Sequence, residues 1–294
     1  MAGIEKRSSM ERLQGKGKHV SKILVLVVVL FAGPITALVN AEQKTQNVIR
    51  VKGSTLMANM VNELAKDYEK IDPKTVIIVS GGGSTAGFKD FLVRNVELVL
   101  ATREMTSEEK KIAQTNGMTP AQLVIGWGCV TIIAHPTNPV SELTLAQVKE
   151  IFTGKITSWK QVGGPEKAIE FYLPDPNRHG THLFFQKAVL DGEPYGSAAR
   201  VESDYDPLIR RVANNEAAIA YCILNKTLQS LARIKVLSIK KDQNSPAVAP
   251  SWKTAEDRTY PIARPLYLVW DEANVTPPLK QFVEFCVKQG LRRD

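Results

Sequence analysis

A chain of 294 residues that is 44% hydrophobic and 23% charged has the make-up of a soluble globular protein with a sizeable core, and it holds no repeat or low-complexity block. Its formal net charge of +8 is inflated by the N-terminus: without the six bases and two acids of residues 1–41, 32 bases face 28 acids. So mild an excess, with no Lys/Arg stripe interleaved with aromatics, argues against a nucleic-acid partner and suits an anionic ligand only weakly.

The first forty residues differ in kind from the rest. Lys6, Arg7, Arg12, Lys16, Lys18 and Lys22 precede an unbroken apolar run from Ile23 to Ala32, and Gly33-Pro34 then interrupts it before the small-residue stretch ending at Ala41. A basic leader, a short apolar run and a small residue at the candidate cleavage point predict an export signal. The alternative is a membrane anchor. Ile23 to Val39 is 17 residues, at the lower edge of a bilayer span, and Gly33-Pro34 weakens it as a helix. Cys129, Cys222 and Cys286 have no metal-type spacing and each sits in an apolar stretch, the setting of a small core residue. In an oxidising compartment a Cys129–Cys222 disulfide stays open.

From residue 47 onward, apolar β-type runs alternate with amphipathic helical stretches, which predicts an α/β fold. Asn47 to Lys52 reads as a strand entering Gly53-Ser54-Thr55. Leu56 to Glu69 follows as a helix with Leu56, Met60, Leu64 and Tyr68 on one face. Thr75 to Val79 is a strand that opens into Ser80-Gly81-Gly82-Gly83-Ser84-Thr85, and Phe88, Phe91 and Leu92 give a short helix its buried face. Glu97 to Ala101 is a third strand, ended by Thr102-Arg103. A long strand, Leu123 to His135, turns at Thr137-Asn138-Pro139 and precedes a helix from Leu143 to Phe152. Phe171 to Leu173 leads into a turn-rich segment ending at Thr181, and a helix spans His182 to Leu190. Leu208 to Val212 is helical; Ala217 to Leu224 and Ile234 to Ile239 are strands. The polar, Pro-containing stretch from Lys240 to Lys253 is a surface loop. Pro265 to Trp270 is the last strand, and Pro277 to Lys288 a terminal helix with Pro at its start.

Three segments place small or hydroxyl residues between a strand end and a helix start: Gly53-Ser54-Thr55, Gly83-Ser84-Thr85 and His179-Gly180-Thr181. A helix N-terminus offers unpaired N–H groups and a partial positive charge, glycine allows close backbone approach, and a hydroxyl adds a donor. Several such ends converging on one point would hold a dehydrated oxyanion. Taken singly, each hydroxyl is better explained as a helix cap than as a ligand contact.

Seven blocks occur in the order GSTL (53–56), SGGGSTAGF (80–88), ELVLATREMT (97–106), IAHPTNPVSELTLAQVKEIFTGKITSWKQVGG (133–164), HGTHLFFQKAVL (179–190), NNEAAIAYCIL (214–224) and YPIARPLYL (260–268). Together they resemble the phosphate-binding component of bacterial phosphate ABC transporters, a type 2 periplasmic binding protein, over nearly the whole chain after residue 46. The most specific block, LTLAQVKEIFTGKITSWKQVGG, is structural. The resemblance implies a two-lobed fold of mixed sheets flanked by helices and joined by two hinge strands. Lobe I would comprise residues 47–130 plus 232–294 and lobe II residues 131–231, with residues 1–41 as signal peptide or anchor.

It also implies a monomeric, non-enzymatic protein with no cofactor. Such a protein is exported to the periplasm, or anchored in the inner membrane by residues 23–39, and delivers phosphate or a related small oxyanion to an ABC permease. Matched motif to motif, the ligand would meet Ser54, Thr55, the Leu56 backbone, Ser84 and Thr85, with Gly180 and Thr181 on the opposite side. Thr102-Arg103 stands where many members carry Ser-Asp, the Asp accepting the proton that distinguishes phosphate from sulfate. Where the family usually has Arg, this chain has Asp175, and His179 replaces a Ser. Three readings follow: a swap in which Arg103 supplies the cation and Asp175 the acceptor, rescue by Arg178 from a looser loop, or a lost site with Arg103 and Asp175 as an ordinary pair.

His179 and His182 have no third ligand at metal-type spacing. Ser84 in GGGSTAG does not match a nucleophile elbow, and no His–acid set accompanies it, so an enzyme is disfavoured. The rival to a transporter component is a membrane-tethered or periplasmic interaction or sensor module of the same fold with lost or altered ligand specificity.

Overall fold

Strand β1 (Asn47–Gly53) opens the fold and buries Ile49 and Val51 on its inward side. A computed structural model describes residues 46–224 and 233–291. Helix α1 (Thr55–Ile71) follows, because Met57, Met60, Val61, Leu64 and Tyr68 recur at helical spacing and all face the core. β2 (Thr75–Ser80), α2 (Ser84–Leu92) and β3 (Leu98–Ala101) continue the alternation. Helix α3 (Ser107–Thr115) was not legible as a pattern. It buries only Ala113 and is defined instead by a capping box between Thr106 and Glu109.

The long strand β4 (Pro120–Ala134) leads to β5 (Glu142–Thr144) and α4 (Leu145–Phe152). The helix expected from Leu143 starts two residues later, since Leu143 and Thr144 belong to β5 and Thr144 caps the helix by accepting from the Gln147 amide. β6 (Glu170–Pro174), α5 (Gly180–Ala188), β7 (Arg200–Glu202), α6 (Tyr205–Ala213) and β8 (Ala218–Ile223) form the next stretch. β9 (Lys235–Lys240), a short helix (Trp252–Glu256), β10 (Ala263–Asp271) and a terminal helix (Pro277–Gln289) complete it.

The strands run in the order β2-β1-β3-β10-β4-β8-β6-β7, with β9 pairing β4 and β5. β1 is parallel to β2 and β3, while β10 is antiparallel to both β3 and β4. β4 changes partners along its length: Pro120–Cys129 pairs with β10, and Val130–Ala134 lies between β8 and β9. The sheet is therefore mixed and flanked by helices. Its parallel parts carry loops at the C-terminal strand ends, where α/β folds place their ligands.

Buried side chains gather in three clusters. One packs α1 and the terminal helix against β1 and β10, and a second lies under α2 and α3. The third surrounds the second half of β4, β6 and β8, and also takes in Tyr260 and Ile262. At its centre Phe152 meets the rings of Phe171, Phe185 and Tyr221 edge-on, with centroids 5.1–5.8 Å apart. Trp159 is fully buried and donates its indole N–H to the Ala217 carbonyl at 3.0 Å.

All three cysteines are buried free thiols, and burial pushes each up to about 12. Cys129 donates to the Ser251 carbonyl and Cys222 sits 3.2 Å from the Thr131 hydroxyl, so the two are separately engaged and form no disulfide. The leader and the apolar run 23–39 lie outside the described residues. Among the described residues no helix is long and apolar enough to cross a membrane.

Truncating Phe152 to Ala removes the ring that joins α4 to β6, α5 and β8. The expected loss is about 3–5 kcal/mol of unfolding free energy. Urea denaturation measures it, and a loss below about 1 kcal/mol would show that the cluster closes over the cavity.

Candidate functional site

The loops after β1, β2 and β3 are laced together by main-chain bonds. The Ser54 amide donates to the Leu100 carbonyl at 2.7 Å, and the Gly83 amide donates to the Gly53 carbonyl at 2.8 Å. Ser54 is buried at the start of α1 but makes no side-chain cap bond. Thr55 is exposed, and its hydroxyl accepts weakly from the Gly82 amide at 3.4 Å. Leu56 is half-buried against the α1 cluster, and its amide belongs to the first turn of α1, whose N–H groups have no intrahelical partner.

Ser84 opens α2 and is buried. Its hydroxyl accepts from the Thr102 amide at 3.0 Å and lies 3.2 Å from the Thr102 hydroxyl. Thr85, half-buried beside it, accepts from Arg103 Nη2 at 3.4 Å. Thus Thr102-Arg103 at the end of β3 is tied directly to the start of α2.

The loop after β6 approaches the same place from the other side. Gly83 has φ +92°, and a Cβ there would stand 1.5 Å from the Arg178 carbonyl oxygen. A Cβ at Gly180, the first residue of α5, would stand 2.8 Å from Ser84 Cβ and 3.5 Å from Arg103 Cγ. Only residues without side chains allow the starts of α2 and α5 to abut in this way. Thr181 is 2% exposed, and its hydroxyl accepts from Arg264 Nη1 at 2.6 Å and from the Tyr205 hydroxyl at 2.7 Å. Burial raises Tyr205 to about 12, which keeps it a protonated donor at neutral pH.

The charged candidates are placed differently from the pairings expected of them. Arg103 is buried, lies over the Phe88 ring and forks onto both Glu109 carboxylate oxygens at 2.7 and 2.8 Å. Glu109 also accepts from the Thr106 amide, so one carboxylate holds both the arginine and the start of α3. Asp175 is half-buried, and its carboxylate accepts from the Asn177 amide at 2.9 Å. Among the described residues no ion pair joins Arg103 to Asp175, so the ordinary pair left open by the sequence is not formed. Arg178 reaches Asp204 at 3.2 Å and the Ser203 carbonyl at 3.2 Å.

His179 packs on Tyr205 with ring centroids 4.4 Å apart, its Nε2 buried without a hydrogen-bond partner and 3.5 Å from Asp204 Oδ1. His182 packs on Tyr195 at 4.4 Å. Burial pulls both imidazoles below their ordinary value, against the opposing pull of Asp204 on His179. The two rings serve different neighbours, and among the described residues no group of three His, Cys, Asp or Glu could hold a metal.

Sequence reasoning missed Glu109, Tyr205 and Arg264. The available signals were the T-x-x-E box at 106–109 and an arginine inside the apolar strand pattern YPIARPLYL. Nothing local links Tyr205 or Arg264 to Thr181, because those contacts span 24 and 83 residues.

Residues 39–289 match the family described as the PBP superfamily domain. The phosphate-binding protein PstS of Staphylococcus saprophyticus is 32% identical over 233 residues, 78% of this chain and 72% of that protein. A Clostridium perfringens chain described as a phosphate ABC transporter substrate-binding protein, solved with bound phosphate, superposes with a TM-score of 0.68. It is 26% identical, with 82% of this chain and 93% of that one covered. An ABC-type phosphate transport receptor from Vibrio cholerae gives a TM-score of 0.65 at 25% identity, covering 81% of this chain and 92% of that one.

Gly83→Ala is expected to force the 81–84 and 178–181 segments apart. Faster amide hydrogen exchange at Ser84 and Gly180 would report it, and unchanged exchange would show that the contact is not enforced by the backbone. The histidines set a pH dependence. With folded values depressed, stability is full above the unfolded value of about 6.5 and falls as pH drops below it. Urea midpoints at pH 7.5 and pH 5 should therefore differ, and the difference should shrink in His182→Gln.

Proposed function

The chain belongs to the PBP superfamily and, within it, to the phosphate-binding proteins of phosphate ABC transporters, and on that premise we propose that it binds inorganic phosphate or a close oxyanion relative where α1, α2 and α5 begin. The family is one of solute-binding proteins, not enzymes. The observation that carries this reading is the contact of the α2 and α5 starts, Ser84 against Gly180 and Gly83 against Arg178, with the α1 start linked through Thr55 and Gly82. Three helix N-termini then direct unpaired N–H groups and positive partial charge at one small volume.

Residues 47–130 plus 232–294 and 131–231 are assigned as the two lobes. Support comes from the separate buried clusters and from β4, whose first part pairs with β10 and whose second part pairs with β8. β9 pairs the second part of β4 and β5, and Leu237, Ile239, Ala255, Tyr260 and Ile262 join the cluster of residues 131–231, so these residues pack with the second lobe and not with the first. Binding works by closure: the ligand favours the arrangement in which both sets of helix ends can reach it. The ligand contacts are Ser54, Thr55, the Leu56 amide, Ser84, Thr85, Thr102, Gly180 and Thr181. Asp175 is the acceptor for a ligand proton, and His179 shapes the α5 end. Export, delivery to an inner-membrane permease and location in the periplasm complete the reading, the leader being either removed or kept as a tether.

Glu109 neutralises Arg103, and that observation favours the second reading, an interaction or sensor module with altered ligand specificity. Calorimetric titration of the full chain, refolded to strip carried ligand, separates them. Saturable one-to-one binding of phosphate with sulfate rejected is expected; silence toward phosphate, sulfate, molybdate and a phosphonate would move the function to a protein partner. Asp175→Ala should erode the preference for phosphate over sulfate, and an unchanged preference removes Asp175 from the acceptor role.

A further inference from the structure

Two arginines are buried beside the start of α5, and they are not equivalent. Arg103 is matched by Glu109 through two hydrogen bonds. Arg264, on β10 opposite Gly128 of β4, is 1% exposed and has no carboxylate partner among the described residues. Its guanidinium carries five N–H donors, yet its hydrogen bond within the described residues is the single one from Nη1 to Thr181. Nε of each arginine is buried without a hydrogen-bond partner among the described residues, so the difference between them is the carboxylate that Arg103 has and Arg264 lacks. Burial pulls its proton affinity down, with Tyr205 and Cys129 as the groups acting against that pull and no acid among them. A guanidinium keeps its proton in a protein, so the fold holds a permanent cation away from water without a countercharge.

The same region has donors to spare and acceptors already used. The Thr181 hydroxyl has two lone pairs, and Arg264 and Tyr205 occupy both. Its own hydrogen is thereby left to donate. It does so at the start of the nine-residue helix α5, whose first amides are unpaired, next to Ser84 at the start of α2. An excess of buried donors around an unmatched cation is the complement of an anion whose facing oxygen carries no proton.

We infer that Arg264, and not Arg103, supplies the cation that balances the bound anion, and that Arg264 and Tyr205 together fix Thr181 as a donor to an unprotonated ligand oxygen. This rests on the anion-binding reading given above. Arg103 then has a positioning role, holding the β3 end and the start of α3 through Glu109. The ligand class follows from the arrangement: a small oxyanion, singly or doubly charged, with its proton, where it has one, turned away from Thr181. A neutral or cationic solute would leave Arg264 unmatched.

The test compares the full chain with Arg264→Met, Arg264→Lys and Thr181→Val, titrated with inorganic phosphate and melted with and without it. If the unsubstituted chain binds no phosphate, the anion-binding reading itself fails. If it binds, Arg264→Met should weaken phosphate by about 100-fold or more, because the anion loses a buried charge partner. The phosphate-induced rise in Tm should vanish, while the Tm without phosphate stays level or rises, since an unmatched buried charge has been removed. A fall in the ligand-free Tm with phosphate affinity intact would make Arg264 a structural residue and overturn the inference. Should Arg264→Met fail to fold, Arg264→Lys and Thr181→Val decide. Each is expected to bind phosphate at least about tenfold more weakly, given that their donors are charge-assisted or buried, and unchanged affinity in both overturns the inference.

Discussion

The arrangement around the site depends on one close approach, between the Gly83 backbone and the Arg178 carbonyl, where a side-chain carbon would lie 1.5 Å from the oxygen. From that contact follows the abutment of Gly180 on Ser84, and with it the meeting of the α2 and α5 starts. Helix ends repel each other when their positive partial charges face, so two of them brought together need either solvent or an anion between them. Glycine at 83 and 180 is thus required by space, and at 83 also by φ +92°.

Around this contact, polar groups are held by main chain more than by charge. Ser84 and Thr102 satisfy each other across the α2 and β3 ends, and the amides of Ser54 and Gly83 tie β1 to the loops beside it. Such bonds leave hydroxyls and amides in fixed positions while costing little electrostatically. Formal charge is kept apart: Arg103 is answered by Glu109, Arg178 by Asp204, and Arg264 by no carboxylate among the described residues. The unanswered one sits on β10 opposite Gly128 of β4, in a strand that pairs with β3 further along, from Tyr267 to Trp270. A cation placed there cannot swing out to water as a loop arginine can.

Apolar packing runs directly beneath the site. The aromatic cluster around Phe152 includes Phe185 of α5 and Tyr221, whose hydroxyl lies 3.4 Å from His182 Nδ1, and Phe88 of another cluster lies under Arg103. Apolar burial in these clusters offsets the cost of an unmatched charge and tightly packed loops.

The sequence by itself determined the α/β class, the order of the longer elements and the three small-residue helix starts. Apolar spacing is a local property: the face of α1 and the run of β4 are each read within one segment. It also carried the family, through motif blocks spread along the chain after residue 46. Elements with little buried surface escaped it, such as α3 with Ala113 alone in the core, and β5 and β7, each of three residues. Tertiary structure alone decided which charges are paired. Glu109 answers Arg103 from six residues away, while Arg264 reaches Thr181 across 83, and no periodicity encodes either choice. Electrostatic partners are selected by distance and dielectric after folding, so a residue's chemistry can be read from its letter but its countercharge cannot.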